Sequence, residues 1–138
     1  MDDLVRDARQ RGVVTVVDVR LTPISRKRGF SKTALATALA ASGIDYLHVR
    51  ALGNPRDNRA GFAETSTEAG RDARGRFVDE VLSTPAAHEA LSAIEELQVR
   101  GPVLLLCFES AERCCHRSLV LDALRARREQ DDRELVLA

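Results

Sequence analysis

Five of the seven residues from Val13 to Val19 are valine. An unbroken run of β-branched side chains leaves neither face of a strand for water. It predicts a strand buried on both sides, in a parallel sheet covered by helices. The flanking stretches fit that architecture. Leu4, Val5 and Ala8 share one face of a short helix capped by Asp2 or Asp3 and ended by Gly12, and Ser31 caps a second helix carrying Leu35, Ala38, Leu39 and Ser42, closed by Gly43. Ile44 to Val49 reads as a second strand, and Val103 to Phe108 (VLLLCF), after Gly101-Pro102, as a third buried one. Between them, Phe77 to Leu82 and the segment opened by Pro85 read as helices. Gly61 to Gly75 is polar and low in periodicity, which predicts a long loop. A last helix from about Cys115 to Arg128 turns Leu119, Val120, Ala123 and Leu124 inward, with a short edge strand expected at Glu134 to Leu137. The alternation predicts a single domain over residues 1–138. Its expected form is a three-layer α/β sandwich, Rossmann-like or flavodoxin-like, around a mostly parallel central sheet.

Lysine and arginine together number 21, as do aspartate and glutamate, so the formal net charge is zero. No global field therefore points to nucleic acid or to an anionic membrane, and binding of that kind has to be local. No apolar run approaches the roughly 18 to 20 residues that span a bilayer, and the start, MDDLVRDARQRG, lacks the basic and apolar regions of a secretory signal. The expectation is a cytoplasmic protein without a membrane partner. Three cysteines, Cys107, Cys114 and Cys115, crowd into nine residues. An odd, clustered set is no disulfide framework, so reduced thiols are expected.

In a parallel α/β sheet ligands gather beyond the carboxyl ends of the strands. Three polar loops leave those ends: Arg20 to Arg28, Arg50 to Arg59, and Cys107 to Arg117. The third, LLLCFESAERCCHRS, sets a cysteine at the end of a buried strand and Cys115-His116-Arg117 at a helix start. Free N–H groups there favour an anion that Arg117 or Arg113 would clamp. The same features lower a thiol pKa, making Cys107 or Cys115 a candidate nucleophile with His116 or Glu109 as proton acceptor. The bland alternative for Cys107 is a buried strand residue. Cys107 and Arg113 also match Cys-x5-Arg, the spacing of cysteine phosphatases and rhodanese-type sulfurtransferases. The two glutamates in FESAE and the lack of glycine argue against an oxyanion loop of that kind. No Cys-x2-Cys pair exists, and no metal or cofactor is expected from the spacing.

The first loop brings Arg20 and Ser25 together with Arg26, Lys27 and Arg28, as a phosphate-holding cluster or a solvated basic turn. Asp18 is placed to orient an arginine. His48 ends the second strand at the same rim. Gly53, in Leu52-Gly53-Asn54-Pro55, is read either as a close backbone approach to a ligand or as a positive φ.

Taken together, VVDVRLTPISRKRGFSKTAL, GIDYLHVRALGN and LLLCFESAERCCHRSLV resemble the prokaryotic family known as domain of unknown function 488, over about Val13 to Leu124. The markers are Asp18-Val19-Arg20, Pro23, Ser25, Phe30, Leu39, Gly43, Tyr46, His48, Leu52-Gly53, Cys107 with Glu109, and Cys115-His116-Arg117. The resemblance implies an α/β domain with no established reaction. It also implies an additional first strand with a Thr-Ile-Gly-His-Ser-like segment, expected to be absent here, whose loss would leave a strand edge suited to homodimerisation. The leading expectation is an anion site for a phosphate-bearing small molecule or a nucleic-acid component. Arg20, Ser25, His48, Gly53 and Arg117 would bind it, and Cys107, Glu109, Cys115 and His116 are the candidate reactive groups. The alternatives are a non-catalytic binding or regulatory module with a structural or redox-responsive Cys-His-Arg corner, and a cysteine-dependent sulfurtransferase or phosphatase.

Overall fold

The valine run forms the centre of the sheet. In the computed structural model, which describes residues 2–22, 31–63, 66–107 and 116–137, strand β1 (Thr15–Asp18) is buried at every position. It pairs in parallel with β2 (Asp45–His48) on one side and with β3 (Val103–Leu106) on the other, giving the order β2-β1-β3.

Alternate side chains of β1 enter two separate cores, as the period of two requires. Val16, with Leu104, Leu106 and Tyr46, packs against α1 (Asp2–Gln10) and α2 (Lys32–Ala40) through Ala8, Leu35 and Leu39. Val17 and Val19, with Leu105 and Cys107, face α3 (Glu68–Phe77), α4 (Pro85–Arg100) and α5 (Arg117–Leu137) through Phe77, Leu91, Ile94 and Val120. Each large apolar side chain so covered contributes about 1.5–3 kcal/mol. The arrangement is the expected α/β sandwich with helices on both faces of a parallel sheet.

Local chemistry explains the helix ends. The Ser31 hydroxyl accepts from the Ala34 N–H at 3.4 Å, and Gly12 and Gly43 take the left-handed conformation (φ 69° and 73°) just beyond α1 and α2.

Two expectations are corrected. The polar stretch Gly61 to Gly75 is no long loop: after a 3-10 turn at Ala60–Ala63, residues from Glu68 onward form α3. Its start is fixed by Thr67, whose hydroxyl accepts from the Gly70 N–H at 3.0 Å, and its buried face is only Gly70, Ala73 and Phe77. So narrow an apolar stripe, built partly of glycine and alanine, leaves little periodic signal. Likewise Glu134 to Leu137 forms no edge strand. Helix α5 runs on to Leu137, and no glycine or proline follows Arg117 to stop it.

Strand order places the functional rim. Helix α2 carries the chain from β1 to β2 over one face of the sheet, whereas α3 and α4 carry it from β2 to β3 over the other. The chain thus diverges from β1 in opposite directions, the arrangement that in parallel sheets directs ligands to the carboxyl ends of the strands where the connections part, here those of β1 and β3.

Candidate functional site

The end of β1 holds a buried ion pair. Arg20 donates from Nε to Asp18 Oδ1 at 2.8 Å and from Nη2 to Oδ2 at 2.6 Å, with the Arg20 side chain 2% exposed and that of Asp18 fully covered. The Arg20 backbone N–H also donates to Oδ1 at 3.1 Å, and the Tyr46 hydroxyl donates to Oδ2. Burial opposes the Arg20 charge, but the hydrogen bond and charge of Asp18 outweigh it and hold the guanidinium pKa above its ordinary value. Burial, reinforced by the Asp18 carboxylate, pushes the Tyr46 phenol up as well, so the hydroxyl stays a donor. Asp18 therefore orients Arg20 as expected from the sequence.

Beyond this pair, three successive carbonyls of the chain leaving β1 are each taken by a side chain from elsewhere. His116 Nε2 donates to Val19 O at 2.9 Å, His48 Nε2 to Arg20 O at 2.7 Å, and Arg50 Nη1 to Leu21 O at 3.1 Å. A carbonyl only accepts, so Nε2 carries the proton in both rings. The β1 exit is thereby fastened to the end of β2, to the 3-10 turn Arg50–Leu52 and to the start of α5. It also bonds to β3, the Val19 N–H donating to Leu106 O at 2.9 Å.

His116 is 6% exposed, with its ring centroid 5.1 Å from that of Phe77. Its pKa is lowered below 6.5, chiefly by burial. The charges of Arg59 and Arg117 add to the lowering, while the Val19 and Leu52 carbonyls offset part of it. The unfolded chain thus binds a proton that the fold resists. Stability is full above about pH 6.5 and falls as pH drops from there toward the lowered folded value. Denaturation free energies between pH 5 and 7.5 should rise with pH. His116→Phe, which keeps an aromatic ring on Phe77, should be less stable but show a shallower rise. Equal slopes in the two proteins would contradict this.

Gly53 has φ −77° and ψ 143°, so the positive φ considered from sequence is not there. The close approach is to the chain itself: a Cβ at Gly53 would lie 2.5 Å from Leu21 Cα and 2.8 Å from Leu21 N. Beside it, Asn58 Nδ2 donates to Asn54 Oδ1 at 3.0 Å and to Ala73 O at 2.9 Å, both asparagines being buried. This clasp ties the loop after β2 to α3. Only the turn-forming Gly53-Asn54-Pro55 hinted at it in the sequence.

Cys107 follows β3, is 8% exposed and packs in the core beside Val19 and Leu119. It is disulfide-bonded, against the expectation of reduced thiols. Its partner lies outside the described residues, as do Cys114 and Cys115 themselves. Three cysteines within nine residues meet easily whatever their compartment. Glu109, Ser25, Arg113 and the Arg26-Lys27-Arg28 turn also fall outside the described residues. Arg117, half-buried, opens α5. Arg59, not singled out from sequence, lies with Arg117 close enough to act on His116. The rim thus brings Arg20, His48, Gly53, Cys107, His116 and Arg117 around one strand end. His88 is exposed on α4, apart from them. Among the described residues no three acidic, histidine or cysteine side chains converge as a metal site, and no helix is long and apolar enough to cross a membrane.

A family model described as Domain of unknown function DUF488 matches residues 1–124. The chain belongs to this family. No curated protein and no solved structure matches it. In this DUF488 domain the markers Asp18, Arg20, Tyr46, His48, Gly53, Cys107 and His116 lie at or next to the β1 exit, whereas Leu39 and Gly43 belong to α2 and the turn after it. His48 and His116 make the fastening.

Proposed function

We propose that this DUF488 domain binds a phosphate-bearing ligand beyond the carboxyl ends of β1 and β3. The observation that supports the reading is the strand order β2-β1-β3 with crossovers on opposite faces, the topology whose switch point commonly takes ligands, with the charges of Arg59 and Arg117 both felt at His116 beside it. Arg117 and the first N–H groups of α5 take the anion. Arg20, committed to Asp18 through two nitrogens, braces the β1 exit from behind, and Ser25 adds a hydroxyl from the loop. His48 and Gly53 hold Arg20 and Leu21 in position. In a catalytic version reduced Cys107 supplies the nucleophile, with Glu109 or His116 as proton partner and Cys115 as a second thiol.

Inorganic phosphate and nucleoside mono- and triphosphates, titrated calorimetrically, should bind the wild type. Binding should weaken roughly 10- to 100-fold in Arg117→Ala, the loss expected for hydrogen bonds to a charged group. Unchanged affinity in a folded Arg117→Ala protein would remove the reading.

One observation favours a second reading, a binding module with a redox-responsive corner: Cys107 is in a disulfide. In that module ligand affinity should change on reduction, and Cys107 should label with iodoacetamide only after reduction. Equal affinity of oxidised and reduced protein would count against it.

A further inference from the structure

The chain has zero net charge, yet the segments that leave its first two strands are rich in cations. Residues 20–32, which follow β1, carry five lysines and arginines and no acid. Residues 50–59, which follow β2, carry three arginines and one acid, Asp57. Asp57 is already engaged by Arg76 of α3 at 3.1 Å, as Arg20 is by Asp18. Residues 79–100 hold five acids and one arginine; the turn that opens this segment packs against Arg50–Leu52, and its Glu80 is engaged at 2.8 Å by the same Arg76.

The described cations of the strand exits come from separate elements. Lys32 opens α2, Arg50 is bonded to Leu21 O, Arg56 and Arg59 lie on the following turns, and Arg117 opens α5. The first four are exposed. One phosphate is satisfied by one or two arginines; cations spread over three strand exits suit a row of phosphates. We infer that this rim is a docking surface for the phosphate backbone of a duplex nucleic acid, bound without reading its bases. The inference rests on the phosphate reading above and extends it from one anion to a polymer of them. The aromatics support backbone contact alone. Phe62 and Phe77 are 3% and 0% exposed and the Tyr46 hydroxyl is engaged by Asp18, so no described aromatic offers the stacking platform of a single-strand binder.

The test uses the full chain, a fluorescein-labelled duplex of about 20 base pairs, and anisotropy between roughly 50 and 200 mM salt, the range in which phosphate contacts lose affinity steeply. Three to four phosphate contacts predict a slope of log K against log salt of about −3 to −4. Combined Arg50→Ala, Arg56→Ala and Arg59→Ala should reduce that slope by about 2 to 3 and weaken binding more than 10-fold at low salt. The control Arg6→Ala with Arg9→Ala, on α1, should leave the slope unchanged; circular dichroism melts confirm that both variants are folded. Equal losses in the two variants would overturn the inference, because binding would then follow overall charge. No duplex binding alongside intact nucleoside monophosphate binding would overturn it and leave the single-phosphate reading standing. Absence of both would remove both. Sedimentation with phosphatidylserine vesicles in place of duplex binding would overturn it in favour of a membrane surface.

Discussion

Asp18→Ala should lower the unfolding free energy by about 3–5 kcal/mol, because it leaves the Arg20 guanidinium buried without its counter-charge. The loss is large against the 5–15 kcal/mol that holds a domain of this kind together. Arg20 makes two side-chain bonds to Asp18 and is 2% exposed, so water cannot readily replace the carboxylate. The Tyr46 hydroxyl loses its acceptor in the same step. The pair itself adds little net stability, since desolvation of two ions offsets most of their attraction. The cost comes from breaking it. Arg20→Met alone should therefore also destabilise, by stranding the carboxylate, while the Asp18→Ala, Arg20→Met double variant should lose less than the sum of the two. Urea unfolding midpoints at constant m-value measure all three. Additive losses would mean that the two side chains act independently.

Gly53→Ala should cost about 2 kcal/mol, within the range for overpacking a closed site. The backbone of Gly53 is in the extended region that any residue adopts, so conformational strain contributes nothing. The cost is steric: the new methyl would sit 2.5 Å from Leu21 Cα, and backbone cannot swing aside as a flexible side chain can. Gly75→Ala provides the contrast. It lies inside α3 with nothing within 4 Å of the added Cβ, and there alanine should stabilise by up to about 1 kcal/mol. Thermal melts of the two variants, shifting in opposite directions, would separate the steric effect from a general response to alanine. Because Leu21 leaves the β1 exit, Gly53→Ala should disturb the candidate site along with the fold.

Where local sequence determines local structure, the sequence was readable. The valine run fixes β1 as a central strand because no other element buries both of its faces, and Ser31 and Gly43 bracket α2 through backbone rules that act within a few residues. The rim was also legible, since parallel strands carry their exits to the same side, and that alone brings Arg20, His48 and His116 together. The roles of those residues were harder to see. His116 reads as a reactive imidazole beside cysteines, but its Nε2 is bound to a carbonyl 97 residues away. Gly53 reads as a turn glycine, while the atoms that require it to be glycine belong to Leu21. Helix α3 escaped because its buried stripe is small residues and one phenylalanine among arginines. In each case the deciding contact is distant in sequence.

The most direct test of the phosphate-site account is a titration of isotope-labelled protein with inorganic phosphate, followed through its backbone amide resonances. The account predicts that the largest shifts fall on Val19 to Leu21 and on Arg117 to Val120, the β1 exit and the first turn of α5, with Arg59 next. Shifts confined to α1 and α2 or to the amino ends of the strands, or no saturable shift, would contradict it.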